Sequence, residues 1–161
     1  MASDNFVKIG DIKGESKVKV LGEDGWTEIM DFSWSVVNGG TMQYGQGGGE
    51  GRAQFTDLSF NKSVDLASPA LMENCAKGTH IDKARLVGRK AGGEQLDYYL
   101  MEMKHVLITN VSNVGGADSP MESVSLNFAA IKFKYVAQDE ATGKASGNAQ
   151  FEYDLKTRTP K

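Results

Sequence analysis

The chain has 161 residues, a formal net charge of −3, 40% hydrophobic residues and a single cysteine, Cys75. A core can form at this length without staples, a lone cysteine excludes an intrachain disulfide and fits synthesis in a reducing compartment, and a mildly acidic balance offers no global field to nucleic acid or anionic lipid. No apolar run approaches the roughly 18 residues of a membrane span, and residues 1–14 lack the basic start and apolar block of a secretory leader. No membrane insertion is therefore expected, and export needs some other machine.

Period-two alternation dominates the chain. In Glu28–Val37, Met30, Phe32, Trp34 and Val36 are expected on one face and Ile29, Asp31, Ser33 and Ser35 on the other. Residues 38–52 follow, 15 positions with seven glycines around Met42, Gln43 and Tyr44. In Ala53–Lys62 the apolar residues Phe55, Leu58 and Phe60 change phase near Asp57, which suggests a bulge. A helix is expected next: Ser68 suits its cap, Pro69 its first turn and Gly78 its left-handed stop, with Leu71, Met72, Cys75 and Ala76 as one apolar stripe.

Ala84–Arg89 and Leu96–Val111 are separated by Lys90–Glu94, where Gly92-Gly93 accepts the positive φ of a tight hairpin. Leu96–Val111 is apolar on both faces. Tyr98, Leu100, Val106 and Ile108 are assigned to one; Tyr99, Met101, Met103 and Leu107 to the other. One face fills a core and the second needs a cover, for which the 69–77 helix is the local candidate and another chain the remaining one. After a break at 115–120, Glu122–Val136 alternates through Val124, Leu126 and Phe128, then resumes one residue out of step at Ile131, Phe133 and Tyr135. A break at 141–144 precedes the last strand, Gln150–Leu155, and the basic tail 156–161 is expected to fray. Residues 1–161 are thus expected to form one all-β domain, an antiparallel barrel of two curved sheets whose phase shifts bend the strands, with one flanking helix.

The glycine-rich stretch does not make a phosphate cradle. Counted from Gly45, the sixth position of a dinucleotide fingerprint is Glu50, and the Gly40–Gly45 gap of a Walker loop is followed by Gln46. A strand, not a helix N-terminus, comes next. Two readings of the stretch stay open: an arm carrying Met42 and Tyr44 to a neighbouring subunit, or a disordered hairpin tip. No catalytic, cofactor or metal site is expected. There are two histidines, His80 with Asp82 two residues on, and His105 within a strand; Cys75 lies on the apolar stripe as a small hydrophobe. The small polar face Asp31, Ser33 and Ser35 suits water, or soft contact with a bound cargo.

In order along the chain, Asn5–Ser16, Asp31-Phe32-Ser33-Trp34-Ser35, the glycine-rich arm, Asp57–Lys62, Ser68–Met72, Arg89–Glu94 and Leu126-Asn127-Phe128-Ala129 resemble the haemolysin-coregulated protein (Hcp) family of bacterial type VI secretion. The resemblance runs from Asn5 to Tyr135. It implies a compact antiparallel barrel assembled as a homohexameric ring; rings stack into the inner tube of a contractile apparatus, capped by a spike protein and driven by a sheath. It also implies cytoplasmic synthesis, export without a signal peptide, and small effectors held in the ring. Carried over by position, Asp31, Ser33 and Ser35 face the lumen, while Met42, Gln43, Tyr44, Gly45, Gly47, Gly48, Gly49 and Gly51 form the arm to adjacent subunits or the next ring. The competing class is a monomeric ligand-binding barrel with the arm as its lid, which requires an internal apolar cavity.

Overall fold

The computed structural model describes residues 3–40, 42, 52–91 and 95–160. Its strands pair in antiparallel fashion throughout. The elements in chain order are β1 (Ser3–Ile9), β2 (Thr27–Ile29), β3 (Asp31–Ser33), β4 (Val36–Asn38), β5 (Ala53–Phe55), β6 (Leu58–Ser63), α1 (Ser68–Lys77), β7 (Ile81–Lys90), β8 (Leu96–Val114), β9 (Met121–Gln138), β10 (Ala145–Asp154) and β11 (Thr159–Pro160). β1 pairs with β7, β7 with β8, and β8 with β9. The early part of β9 then pairs with β6 and its later part with β10. β6 carries β3 on its other edge and β1 carries β2. Met30 alone separates β2 from β3, and its N–H donates to Asn61 O at 2.8 Å, so the pairings run in a circuit around the main core. The all-β, one-helix architecture agrees with the expected class.

The main core gathers alternate residues of those strands, among them Val7, Leu58, Leu86, Met103 and Leu126, each at most 2% exposed. A smaller cluster, Phe6, Val20, Trp26 and Val87, lies apart from it. Adjacent residues of β1 (Phe6 and Val7) and of β7 (Leu86 and Val87) thus go to different clusters, which makes these strands buried on both faces. A cavity of about 10 Å³ lined by core residues such as Val7, Phe60 and Leu71 is close to the least that a single water needs, far below a ligand-binding barrel's requirement.

Four expectations about the strands and the tail change in detail. First, alternation does not continue through Glu28–Val37: Ile29 is buried and Met30 is 63% exposed, because the segment kinks at Met30 to pass from β1 to β6. Second, the phase change near Asp57 is a strand break, with β5 on β4 and β6 on β3 and β9. Third, β8 itself slips phase. His105 adopts φ +55, and the core-facing set is Tyr99, Met101, Met103, Val106, Ile108 and Val111. The partner strand slips with it, since Met103 opposes Ile131 and Val106 opposes Phe128, which is the change of step read from residues 122–136. A second shift, at Thr109, falls on β8 alone. Fourth, the tail does not fray at once: Arg158 (φ +58) turns it back so that Thr159 and Pro160 pair with Asp154 and Tyr153.

The helix begins at Ser68, with Ala67 at its cap position and Pro69 in the first turn, and closes on Gly78 at φ +65. Thr79 N–H donates to Asn74 O and Gly78 N–H to Cys75 O, a Schellman closure that the left-handed glycine permits. Of the expected stripe, Leu71 is buried and Cys75 half-buried, while Met72 and Ala76 are exposed. Ala67 and Leu71 join the main core, so α1 extends that core; on β8, Tyr98 and Leu100 remain half-buried and Leu107 exposed.

Candidate functional site

The Asp31–Ser35 face is set by the residues behind it. Phe32 and Trp34 turn inward onto β8 and β9: Phe32 meets the Tyr99 ring at 5.0 Å, Trp34 meets Phe133 edge-on at 5.8 Å, and Tyr99 meets Phe133 at 4.6 Å. Trp34 Nε1 donates to the Tyr99 hydroxyl at 2.6 Å. Burial pushes the Tyr99 phenol above its ordinary 10.0, partly offset by that indole donation, so it stays neutral at physiological pH. With the even-numbered aromatics held inside, the pleat places Asp31, Ser33 and Ser35 outside, and all three are exposed.

Register then extends this face across four strands. Asp31 opposes Asn61, which opposes Ser123, which opposes Ser112; Ser33 opposes Ser59, which opposes Ser125, which opposes Asn110. Within the first row Asn61 Nδ2 donates to Asp31 Oδ1 at 2.6 Å and Ser123 Oγ to Asn61 Oδ1 at 2.5 Å. In the second, the Ser59 and Ser125 hydroxyls meet at 2.9 Å. Asp57 fixes the near border by accepting from Thr109 Oγ1 at 2.7 Å and Asn127 Nδ2 at 2.9 Å. The Thr109 bulge is what brings Asn110 onto the row opposite Ser125. Ser59, Asn61, Ser123, Ser125, Asn110 and Ser112 were not assigned from sequence, although Asp57-Ser59-Asn61 and Ser123-Ser125-Asn127 both alternate small polar residues against Leu58, Phe60, Val124 and Leu126. None of these row residues is basic, and Asp31 is the only charged one. Such a face suits water-mediated, exchangeable contacts.

The arm begins as a two-stranded ladder of β4 and β5, which pair only with one another among the described residues. Its base is anchored: Phe55 packs against Phe128, Phe151 and Tyr153, and Ser35 N–H donates to Thr56 Oγ1 at 2.8 Å. Beyond that base Val36 and Val37 are 50% and 55% exposed, and Met42 is 79% exposed. Gln43, Tyr44, Gly45, Gly47, Gly48, Gly49 and Gly51 lie outside the described residues.

A buried charge cluster was not legible in sequence. Lys62 on β6 and Glu122 on β9 are opposed in register, with side chains 1% and 0% exposed and Nζ to Oε2 at 2.5 Å. Lys62 Nζ also reaches Asp65 Oδ1 at 2.8 Å, and the Ser68 hydroxyl donates to Glu122 Oε2 at 2.8 Å. This network ties the start of α1 to the sheet. The histidines come together elsewhere, His80 Nε2 lying 3.1 Å from His105 Nδ1. No helix among the described residues is long and apolar enough to cross a membrane.

A filled core, a broad small-polar sheet face and a protruding apolar ladder define a β-rich structural protein. Residues 6–135 match the family described as type VI secretion system effector, Hcp, and the chain belongs to that family. It is 40% identical over 159 residues to protein hcp1 of Pseudomonas aeruginosa, spanning 97% of both chains. Among solved structures, Hcp1 from Salmonella typhimurium superposes with a TM-score of 0.79 at 32% identity over the full length of both chains. A type six secretion system protein superposes at 0.90 with 27% identity over 99% of this chain and 100% of the other.

Proposed function

We propose that this protein is the subunit of a hollow secretion tube: copies close into a six-membered ring, rings stack, and the stack leaves the cell beneath a spike when the sheath contracts. The β4–β5 ladder supports this reading most directly. Neighbouring residues of a strand point to opposite sides, so Val36 and Val37 expose apolar surface on both faces of a ladder that has no third strand among the described residues. A lone subunit gains nothing from such a feature, whereas a second copy would bury it.

In this reading Met42, Gln43, Tyr44 and the glycines 45, 47, 48, 49 and 51 reach the adjacent subunit or the next ring. Asp31, Ser33 and Ser35, with the rows beside them, face the channel and hold small effectors through polar contacts that break as readily as they form. Synthesis is cytoplasmic, export is driven by the contracting sheath, and the role is structural, not catalytic. Size-exclusion chromatography with light scattering tests the assembly: a sixfold mass and annular particles under the electron microscope are expected. A lone-subunit mass at high concentration, with no annuli, would overturn it.

A further inference from the structure

We infer that His80 and His105 form a binding site for one divalent transition-metal ion per chain. They are the chain's two histidines, 25 positions apart, and the fold sets them side by side, His80 exposed just before β7 and His105 at the bend of β8. His80 Nε2 and His105 Nδ1 are 3.1 Å apart, with rings inclined at 27°. Two imidazole nitrogens at about 2.0–2.1 Å from one metal ion are separated by about 2.9 Å at a right angle and about 3.35 Å at the tetrahedral angle. The observed separation falls between them; the two nitrogens face each other head-on, with ring centroids 5.3 Å apart, and each ring turns by about 40° for its lone pair to meet a shared ion in place of the shared proton.

Two further observations favour this use of the pair. Asp82 Oδ1 lies 3.6 Å from His80 Nδ1, on the far side of the ring from His105. A carboxylate there favours the tautomer with its proton on Nδ1, leaving the Nε2 lone pair for the ion. His105 is held in a left-handed conformation at φ +55, which sets its ring by the backbone of a paired strand. Among the described residues no group of three or more His, Cys, Asp or Glu side chains is placed to hold a metal ion. Water must therefore complete the coordination, and His80 and Asp82 are exposed enough to admit it. Imidazole donors select copper, nickel and zinc over magnesium and calcium, with copper(II) bound most tightly.

The test uses the untagged full chain and copper(II), followed by calorimetry and electron paramagnetic resonance. One ion per chain is expected, with hyperfine structure from two imidazole nitrogens. His80→Gln and His105→Asn, the latter chosen because asparagine tolerates left-handed φ, should each abolish the two-nitrogen signal and weaken binding at least tenfold. Asp82→Asn should weaken binding by up to about tenfold, at the low end for an orienting carboxylate because Asp82 is so exposed. Equal binding by the His80→Gln/His105→Asn double variant, a one-nitrogen spectrum, or one ion shared between two chains would overturn the proposal. Circular dichroism of the variants separates lost ligands from lost fold.

Discussion

At the residue scale, a buried pair and an exposed serine carry opposite consequences. Lys62 and Glu122 are buried within one network, and lysine or glutamate is almost never fully buried without a partner. Removing Lys62 leaves Glu122 buried without a cation, which costs about 3–5 kcal/mol, whereas replacing both with apolar residues of similar volume is often neutral. Lys62→Met should therefore lower unfolding free energy in urea by that amount, and Lys62→Met/Glu122→Leu should regain most of it. A single variant costing under about 1 kcal/mol would show that the pair does not hold α1 to the sheet. Ser33 differs because its side chain faces outward from a strand pinned by Phe32 and Trp34. Ser33→Gln should change stability by no more than about 0.5 kcal/mol, as for surface substitutions generally, yet reduce effector co-purification by crowding the polar rows. Undiminished co-purification from an intact ring would remove Ser33 from the cargo surface.

At the element scale, the β9–β10 turn offers a pH-dependent contribution. Asp139 accepts from the N–H groups of Thr142 (3.0 Å) and Ala141 (2.8 Å), and these two bonds, Thr142's first, hold its carboxyl below the ordinary 3.8. A depressed folded value means the contribution is fully present above 3.8 and is lost as pH falls from there through the folded value. Thermal midpoints measured between about pH 6 and about pH 3 should fall more steeply for the wild type than for Asp139→Ala; parallel curves would count against the turn's role. This turn and the 115–120 break were legible because glycine and small polar residues interrupt alternation there. β9 was legible too, including its change of step. β8 was misassigned because its own change of step sits at His105 and Thr109, where no glycine or proline marks a left-handed residue or a bulge. β1 gave no alternating signal since Phe6 and Val7 are both buried, in different clusters. Likewise Asp31, Ser33 and Ser35 were visible within one strand, but the rows through Ser59, Ser125 and Asn110 depend on register between strands far apart in sequence, which no local pattern contains.

At the scale of the whole molecule, fold and assembly separate. The circuit of paired strands and both apolar clusters are built, among the described residues, on either side of the glycine-rich stretch: β4 and β5 are paired through Asn38 and Ala53, and their base is held by Phe55 among Phe128, Phe151 and Tyr153. Shortening a connection changes its closure entropy only slowly with length, so removal of Gly45–Gly51 should leave the subunit's stability within about 1 kcal/mol of wild type. In the proposed assembly, ordering so much glycine against a neighbour is costly, and only contacts with that neighbour offset the cost. The deletion is therefore expected to abolish stacked tubes in electron micrographs while circular dichroism and the urea midpoint stay unchanged. Loss of β-signal would instead make the arm part of the subunit's own fold, and tubes of normal length would free it from stacking altogether.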